Sequence, residues 1–275
     1  MLPAERGWPA PATTQRVSET ERRVAVVTGV GRRQGIGFAI ANRLLQDGMN
    51  VLIQAWSQHD QQQPWAPEPG EAERVISGLG GLCDRLDRTE LDFEDPAAPH
   101  ALIEHAVTRF GAVDVLVANH ALAGPGSLAE VSAAELDRAW AVNGRASVLL
   151  TQAYARYHND SRSDGRVILF TSGQHLGPMP AELPYAISKG AIAQMTASLA
   201  AALAARSITV NAVNPGPCDT GWPDDRLRER LRTHFPTGRW GRPEDIAPLV
   251  SWLASPESAW ITGQVINAEG GFRRG

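Results

Sequence analysis

Short apolar runs rich in β-branched residues alternate along the chain with longer segments in which apolar residues recur at helical spacing. The apolar runs predict strands at 23–28, 51–55, 86–93, 113–118, 166–170, 208–213 and 264–267. The run at 86–93 is charged, so its strand is expected to be short or to lie at a sheet edge. This alternation is typical of an α/β fold: a Rossmann-type, doubly wound and mainly parallel sheet with helices on both faces.

Helices are predicted between the strands, at 36–47, 96–110, 133–157 and 184–206, and two shorter helices are expected after residue 213. The Pro- and Gln-rich stretch 57–70 is predicted to be a surface loop. Residues 1–22, rich in Pro, Ala, Thr and Glu, are expected to be a disordered N-terminal extension. Residues 23–275 contain no internal repeat, and they are expected to form a single domain.

Composition and charge argue against several classes of function. The net charge of −4 provides no basic face for nucleic acid or an anionic membrane, and no apolar run approaches the roughly 20 residues that span a bilayer. No secretory apolar segment begins the chain, and Cys83 and Cys218 lie far apart outside any CxxC pattern. Reduced thiols and a cytoplasmic location are therefore expected. The seven His have no paired ligand spacing, so no metal is expected.

A glycine-rich segment, residues 28–37 (TGVGRRQGIG), lies between the first predicted strand and the first predicted helix. Glycines let a backbone approach phosphate groups, and the N-terminus of a helix supplies N–H donors and partial positive charge. The segment therefore predicts the pyrophosphate site of a dinucleotide. The alternative is a turn that serves only the packing of helix against strand.

Tyr185 and Lys189 lie four residues apart, on one face at the start of a predicted helix. A phenol with an ordinary pKa near 10 exchanges protons poorly at neutral pH, and a neighbouring ammonium favours the phenolate. The pair therefore predicts a general acid/base. Lys189 is the only lysine among 26 Lys and Arg residues, which favours a role that arginine cannot fill.

Ser172 lies 13 residues before Tyr185, directly after the fifth predicted strand. With this spacing, the YxxxK motif and the glycine-rich loop, the chain resembles the short-chain dehydrogenase/reductase family, whose loop commonly reads TGxxxGxG. This chain has two more residues between Gly29 and Gly35. The resemblance implies an oxidoreductase that transfers a hydride between a nicotinamide and a small-molecule carbonyl or secondary alcohol.

The same resemblance implies catalytic roles. Ser172 would hold the substrate oxygen, Tyr185 would donate or accept the proton, and Lys189 would tune Tyr185 and bind the nicotinamide ribose. Asn143 matches the helix Asn that completes a water-mediated proton relay in the family; considered alone, Asn143 favours a helix surface or packing role, and the other three residues reverse that preference. The implied cofactor-binding residues are Gly29, Gly35, Ile36, Gly37, Asp92, Asn119, Tyr185, Lys189, Pro215, Gly216 and Thr220.

The choice between NAD(H) and NADP(H) depends on the end of the second strand, where a carboxylate would bind the ribose hydroxyls of NAD. The chain has Ala55-Trp56-Ser57 there and no acidic residue before Asp60. Arg32 and Arg33, in the lengthened loop, are placed to bind a 2′-phosphate, although both are also consistent with solvated loop charges. NADP(H) is therefore favoured over NAD(H).

The family's substrate lid matches residues 218–240, where Trp222 is expected either to cap a substrate or to pack the lid onto the body. His120, Gln174 and His175 are expected near the reacting carbonyl, with a structural role as the alternative for His120. Two competing functions stay open. One is a nicotinamide-using epimerase or dehydratase on the same fold, and the other is a non-enzymatic NADP(H)-binding sensor.

Assembly is predicted from the helices at 133–157 and 184–206, which are rich in small residues. No charged residue lies between Lys189 and Arg206, although a solvent-facing helix surface normally carries charge. The segment 261–266 also resembles the family's interface strand. A homo-oligomer is therefore expected, either a dimer or a tetramer, with the tetramer favoured.

Overall fold

Seven parallel strands form one sheet in the order β3-β2-β1-β4-β5-β6-β7 in the computed structural model, which describes residues 22–63, 66–162 and 164–274. The strands are β1 (Val24–Thr28), β2 (Asn50–Ala55), β3 (Leu86–Glu90), β4 (Val115–Ala118), β5 (Gly165–Phe170), β6 (Ile208–Asn214) and β7 (Val265–Asn267). Each predicted strand is present. The charged strand β3 lies at the edge, where its side chains reach solvent.

Helices cover both faces of the sheet. They are α1 (Ile36–Gln46), α2 (Ser57–Gln61), α3 (Glu71–Gly78), α4 (Ala98–Phe110), α5 (Ala133–Ala139), α6 (Ala146–Tyr157), α7 (Leu183–Leu203), α8 (Asp225–Arg232) and α9 (Pro243–Ala254). Apolar residues of α1, α3 and α9 pack on one face, and those of α4, α6 and α7 pack on the other. The doubly wound α/β fold expected from the sequence is therefore confirmed.

Some predicted boundaries differ from the structure. The predicted loop at 57–70 contains the short helix α2, and α3 was not predicted, because it is polar and buries only Val75. The predicted helix 133–157 contains a π-helical turn, Trp140–Arg145, between α5 and α6. The last residues of the predicted helix 184–206 form a 3₁₀ turn. The predicted extension, residues 1–22, lies outside the described residues except for Arg22.

The topology creates a crevice where ligands of this fold class bind. β1 pairs with β2 on one side and with β4 on the other, so the chain connections run in opposite directions from β1. At such a switch point, the loops that follow the two strands separate and leave a crevice at the carboxyl ends. None of the helices in the described part of the chain is long and apolar enough to cross a membrane.

Candidate active site

A cavity of 760 Å³ lies over the carboxyl ends of the strands. Residues that follow β1, β2, β4, β5 and β6 line it. The residues expected from the sequence that line it are Gly29, Arg32, Gly35, Ile36, Asp92, Asn119, His120, Ser172, Tyr185, Lys189, Pro215, Gly216, Thr220 and Trp222. Those that do not line it are Arg33, Gly37, Asn143, Gln174 and His175.

The glycines after β1 allow a close approach of backbone segments. Gly29 has a φ of +72°, and a Cβ there would lie 2.8 Å from the His120 Cα. A Cβ on Gly37 would lie 2.5 Å from the Gly29 carbonyl oxygen. Gly37 therefore acts in packing the turn, while Gly35 and Ile36 bring the N-terminus of α1 to the cavity wall. This cradle fits the pyrophosphate of a dinucleotide.

The two additional residues of the glycine-rich loop extend it toward the segment after β6. Arg32 donates from Nη1 to the Thr220 carbonyl at 2.7 Å, which closes one side of the cavity. Arg33 instead lies near Glu71: its backbone N–H donates to Oε1 at 2.9 Å, and its Nε lies 3.5 Å from the same oxygen. The two arginines, treated alike in the sequence, thus have different surroundings.

Asp60 lies in the short helix α2 that follows β2, and it lines the cavity beside this loop. Its Oδ2 lies 1.9 Å from the position that a Cβ on Gly31 would take. Burial raises the pKa of Asp60 to about 6, and the nearby Arg32 guanidinium opposes the rise. From the sequence alone, Asp60 is only the first acidic residue beyond the strand end, with no role assigned to it; the short helix α2 brings it to the cavity.

Ser172 and Tyr185 both line the cavity at the carboxyl end of β5. Burial raises the pKa of Tyr185 above its ordinary value, its interaction with the Ser172 side chain opposes the rise, and the charge of Glu182 adds to it. The net direction is opposite to the lowering that the sequence led us to expect. The reason is that desolvation of the phenolate outweighs the favourable contacts.

Lys189 is 1% exposed and lies one helical turn beyond Tyr185, with its Nζ 5.9 Å from the centre of the Tyr185 ring. The ammonium donates to the Phe170 carbonyl at 2.8 Å and approaches the His120 carbonyl at 3.5 Å. Burial lowers the pKa of Lys189 to about 7. A buried cation beside the phenol is the arrangement that an ionised tyrosine requires.

Asn143, within the π-helical turn, is fully buried and does not reach the cavity. Its Nδ2 donates to the Leu122 carbonyl and to Ser188 Oγ, each at 2.9 Å, and its Oδ1 accepts from the Leu122 N–H at 2.7 Å. The side chain thus ties the loop after β4 to α7, next to Lys189. These contacts hold Asn143 in place, and its part in a proton relay stays a prediction.

His120 is buried and joins β1 to the π-helical turn. Its Nε2 lies 2.9 Å from the Val142 carbonyl, which can only accept, so Nε2 carries the proton and Nδ1 accepts from Thr28 Oγ1 at 2.7 Å. Burial and, secondarily, the charge of Lys189 lower the pKa of His120 to about 3, and the hydrogen bond with the Val142 carbonyl opposes them. The neutral imidazole is therefore a satisfied structural group in the cavity wall.

The other residues expected to contact substrate differ in whether they line the cavity: Trp222 does, and Gln174 and His175 do not. Trp222 lines the cavity and also packs the lid, since its Nε1 donates to the Cys218 carbonyl at 3.0 Å. Gln174 turns away from the cavity and donates to Thr171 Oγ1 at 3.2 Å. His175 is exposed and lies near Glu269.

Cavity-lining residues that the sequence interpretation missed include Glu182, His234, Phe272, Arg273 and Arg274. They belong to no recognised motif. The sequence indicates them only through their positions near Tyr185, in the lid or after β7. Within the described ranges, no group of three His, Cys, Asp or Glu residues is arranged to hold a metal ion.

Comparison with known proteins places this cavity in context. A family model described as enoyl-(acyl carrier protein) reductase matches residues 29–273. The uncharacterized oxidoreductase YjdA of Bacillus subtilis is 38% identical over 260 residues, which cover 94% of this chain and 100% of that protein.

Two solved structures are similar over most of the chain. A short-chain dehydrogenase/reductase from Serratia marcescens superposes with a TM-score of 0.80 at 33% identity, covering 92% of this chain and 99% of that chain. A blue fluorescent protein from a metagenomic library, solved in complex with NADPH, superposes with a TM-score of 0.79 at 32% identity, covering 94% of this chain and 100% of that chain.

Proposed function

The chain belongs to the short-chain dehydrogenase/reductase family of oxidoreductases, and on that basis we propose that it is an NADP(H)-dependent enzyme acting on a small-molecule ketone or secondary alcohol. A bound nicotinamide supplies the hydride for reduction of the carbonyl and takes it back in the reverse direction. The proposal depends above all on one observation: a Tyr185 hydroxyl paired with Ser172 at a strand end, with the buried Lys189 one helical turn behind it.

Each of the three side chains has a distinct task in the proposed reaction. During reduction, Tyr185 gives its phenolic proton to the oxygen on which negative charge develops, and the Ser172 hydroxyl donates a hydrogen bond to the same oxygen. The phenolate left on Tyr185 is stabilised by the Lys189 ammonium. In the oxidative direction the phenolate removes the alcohol proton, so one group serves as acid and as base.

Asn143 and His120 support this arrangement without contacting the reacting atoms. Asn143 links Leu122 to Ser188, the residue directly before Lys189. His120 links Thr28 to Val142, the residue directly before Asn143. Together these contacts restrict the position of α7 relative to β1 and β4. The helix α7 carries Tyr185 and Lys189 to the cavity.

The NADP(H) preference depends on Arg32. Its guanidinium lines the cavity beside the glycine-rich loop, and a 2′-phosphate would offer it charge-assisted hydrogen bonds. Binding of NADPH by one structure of similar fold, at 32% identity, supports the same choice. Asp60 opposes it, because its carboxylate also interacts with Arg32 and would repel a phosphate. We therefore place the adenosine 2′-position between Arg32 and Asp60.

The test is NADPH consumption by the purified protein with a panel of ketones, followed by the loss of nicotinamide absorbance. The proposal predicts stoichiometric formation of alcohol and NADP⁺ from at least one ketone. Substrate conversion without net NADPH consumption would indicate an epimerase or dehydratase instead. Tight NADPH binding with no conversion of any substrate would indicate a sensor. The cytoplasmic location and the homo-oligomer stay predictions.

A further inference from the structure

The segment 269–274 follows β7 and forms one wall of the cavity near the lid. Glu269 accepts from Asn214 Nδ2 at 2.8 Å and forms an ion pair with Arg274, whose Nη1 lies 2.8 Å from Oε2. The Arg274 guanidinium lies against Gly173, so that a Cβ on Gly173 would be 2.0 Å from Nη2. This end of the segment is thus attached to the loop that carries Ser172.

The same segment is also attached to the lid. The Arg273 N–H donates to the His234 carbonyl at 2.9 Å, and the Phe272 and Phe235 ring centres lie 4.8 Å apart. These contacts fix the backbone on both sides of Arg273. The Arg273 backbone is therefore held at the cavity by its contacts with the lid.

Arg273 is an exposed cation among the residues that line the cavity, and within the described part of the chain it has no ion pair. Arg274 next to it is neutralised by Glu269. The His234 ring adds a buried Nδ1 that has no hydrogen-bond partner among the described residues. An anion placed here would gain a charge-assisted hydrogen bond.

Glu182 has the opposite influence at the reacting end of the cavity. It lines the cavity and interacts with Tyr185, and within the described ranges it has no ion pair. Burial raises the pKa of Glu182, because no cation offsets the loss of water. An anionic group directly beside the reacting carbonyl would be repelled by this carboxylate, whereas one near Arg273 would be attracted.

Besides Arg273 and Glu182, the cavity lining contains large apolar side chains. They include Met179, Trp222, Leu231 and Phe272, and two of these four side chains are aromatic. Flat aromatic rings pack well against such surfaces. The cavity lining therefore combines apolar side chains with a cation beside the lid and a carboxylate near Tyr185.

We propose that the substrate is a carbonyl compound, or the matching alcohol, with a flat apolar body and an anionic group remote from the reacting carbon, and that Arg273 binds that group. This inference rests on the proposed oxidoreductase function, because it takes Tyr185 as the position of the reacting carbonyl. It predicts discrimination between substrates that differ only in the charge or in the position of one substituent.

The experiment uses three aryl ketones with the intact protein and NADPH. 4-Acetylbenzoate carries a remote carboxylate, 4-acetylbenzamide is its neutral counterpart, and phenylglyoxylate carries the carboxylate beside the carbonyl. The inference predicts the lowest KM for 4-acetylbenzoate and the highest for phenylglyoxylate. In Arg273→Gln, the ratio of KM for the benzoate to KM for the benzamide should rise about tenfold. Arg230→Gln, an exposed arginine on the lid helix outside the cavity, should leave that ratio unchanged.

A ratio that Arg273→Gln does not change, or equal KM values for the benzoate and the benzamide, would overturn the inference while leaving the proposed function in place. Calorimetric binding of both compounds to the protein loaded with NADP⁺ separates the two proposals. If neither compound is reduced but the benzoate binds more tightly in an Arg273-dependent manner, the anion site stands, and the proposed function is decided separately by the wider ketone panel. Binding of the benzoate that is no tighter than that of the benzamide overturns the anion site.

Discussion

Replacement of Lys189 by Met tests the electrostatic part of the account. The change removes the ammonium and its contacts with the Phe170 and His120 carbonyls, and it keeps an unbranched apolar side chain in a site that is 1% exposed. In alcohol oxidation Tyr185 must be ionised to accept the proton. Without the cation, ionisation of the phenol becomes less favourable and the variant should lose activity at neutral pH.

The size of the effect follows from the distance. At 5.9 Å between Nζ and the ring centre, and with an effective dielectric constant of about 20, the attraction between ammonium and phenolate is about 3 kcal/mol. That energy corresponds to about 2 pKa units of Tyr185, or about 100-fold in the ionised fraction. The pH at which kcat/KM for oxidation reaches its plateau should therefore rise by about 2 units.

The assay is a pH profile of alcohol oxidation for the wild type, Lys189→Met and Lys189→Arg, with circular dichroism to show that each variant is folded. Lys189→Arg keeps the charge, but its larger planar guanidinium must enter a packed site, so a comparable loss of activity is expected. A Lys189→Met profile that coincides with that of the wild type would refute the role of the cation. An active Lys189→Arg variant would refute the need for lysine geometry.

Three further predictions concern the cofactor, stability and assembly. Arg32→Ala should weaken NADPH binding about tenfold more than NADH binding. Arg33→Ala, which loses the ion pair with Glu71, should change the binding of both cofactors equally. Fluorescence titration measures both affinities, and equal effects of Arg32→Ala on the two cofactors would contradict the prediction. The pKa of His120 is lowered from 6.5 to about 3, so the folded state binds fewer protons than the unfolded state. The stability advantage of the wild type over His120→Ala should therefore be complete above pH 6.5 and shrink by about 2 kcal/mol at pH 5. Unfolding curves at the two pH values measure this change, and a constant difference would contradict it. Light scattering should give the mass of a dimer or tetramer, because the uncharged surface of α7 exposes Ile187 and Ala201, and a monomeric mass at micromolar concentration would contradict this.

The sequence predicted those parts of the molecule that depend on local pattern. The buried strands of the sheet were found because buried parallel strands are continuous apolar runs, and the charged strand β3 was found at the edge position expected for it. The cavity also brings together Ser172, Tyr185 and Lys189, whose spacing is set by one strand end and one helix. The α3 helix escaped prediction, since a helix that buries only Val75 has almost no apolar periodicity.

The residues that were missed owe their place to contacts between distant segments. Asp60 reaches the cavity only because a short helix follows β2 and directs it toward Gly31. Arg273 reaches it because the Arg273 backbone binds the lid at His234. The different surroundings of Arg32 and Arg33 likewise depend on Thr220 and Glu71, far away in the sequence. No pattern of neighbouring residues encodes such contacts.

The central claim, that the Tyr185 hydroxyl transfers the proton in a nicotinamide-dependent reaction, is tested most directly by Tyr185→Phe. This variant keeps the aromatic ring and removes only the hydroxyl that interacts with Ser172. We predict that kcat for ketone reduction falls by about 100-fold or more while the dissociation constant for NADPH changes by less than about threefold. Turnover close to that of the wild type would contradict the account.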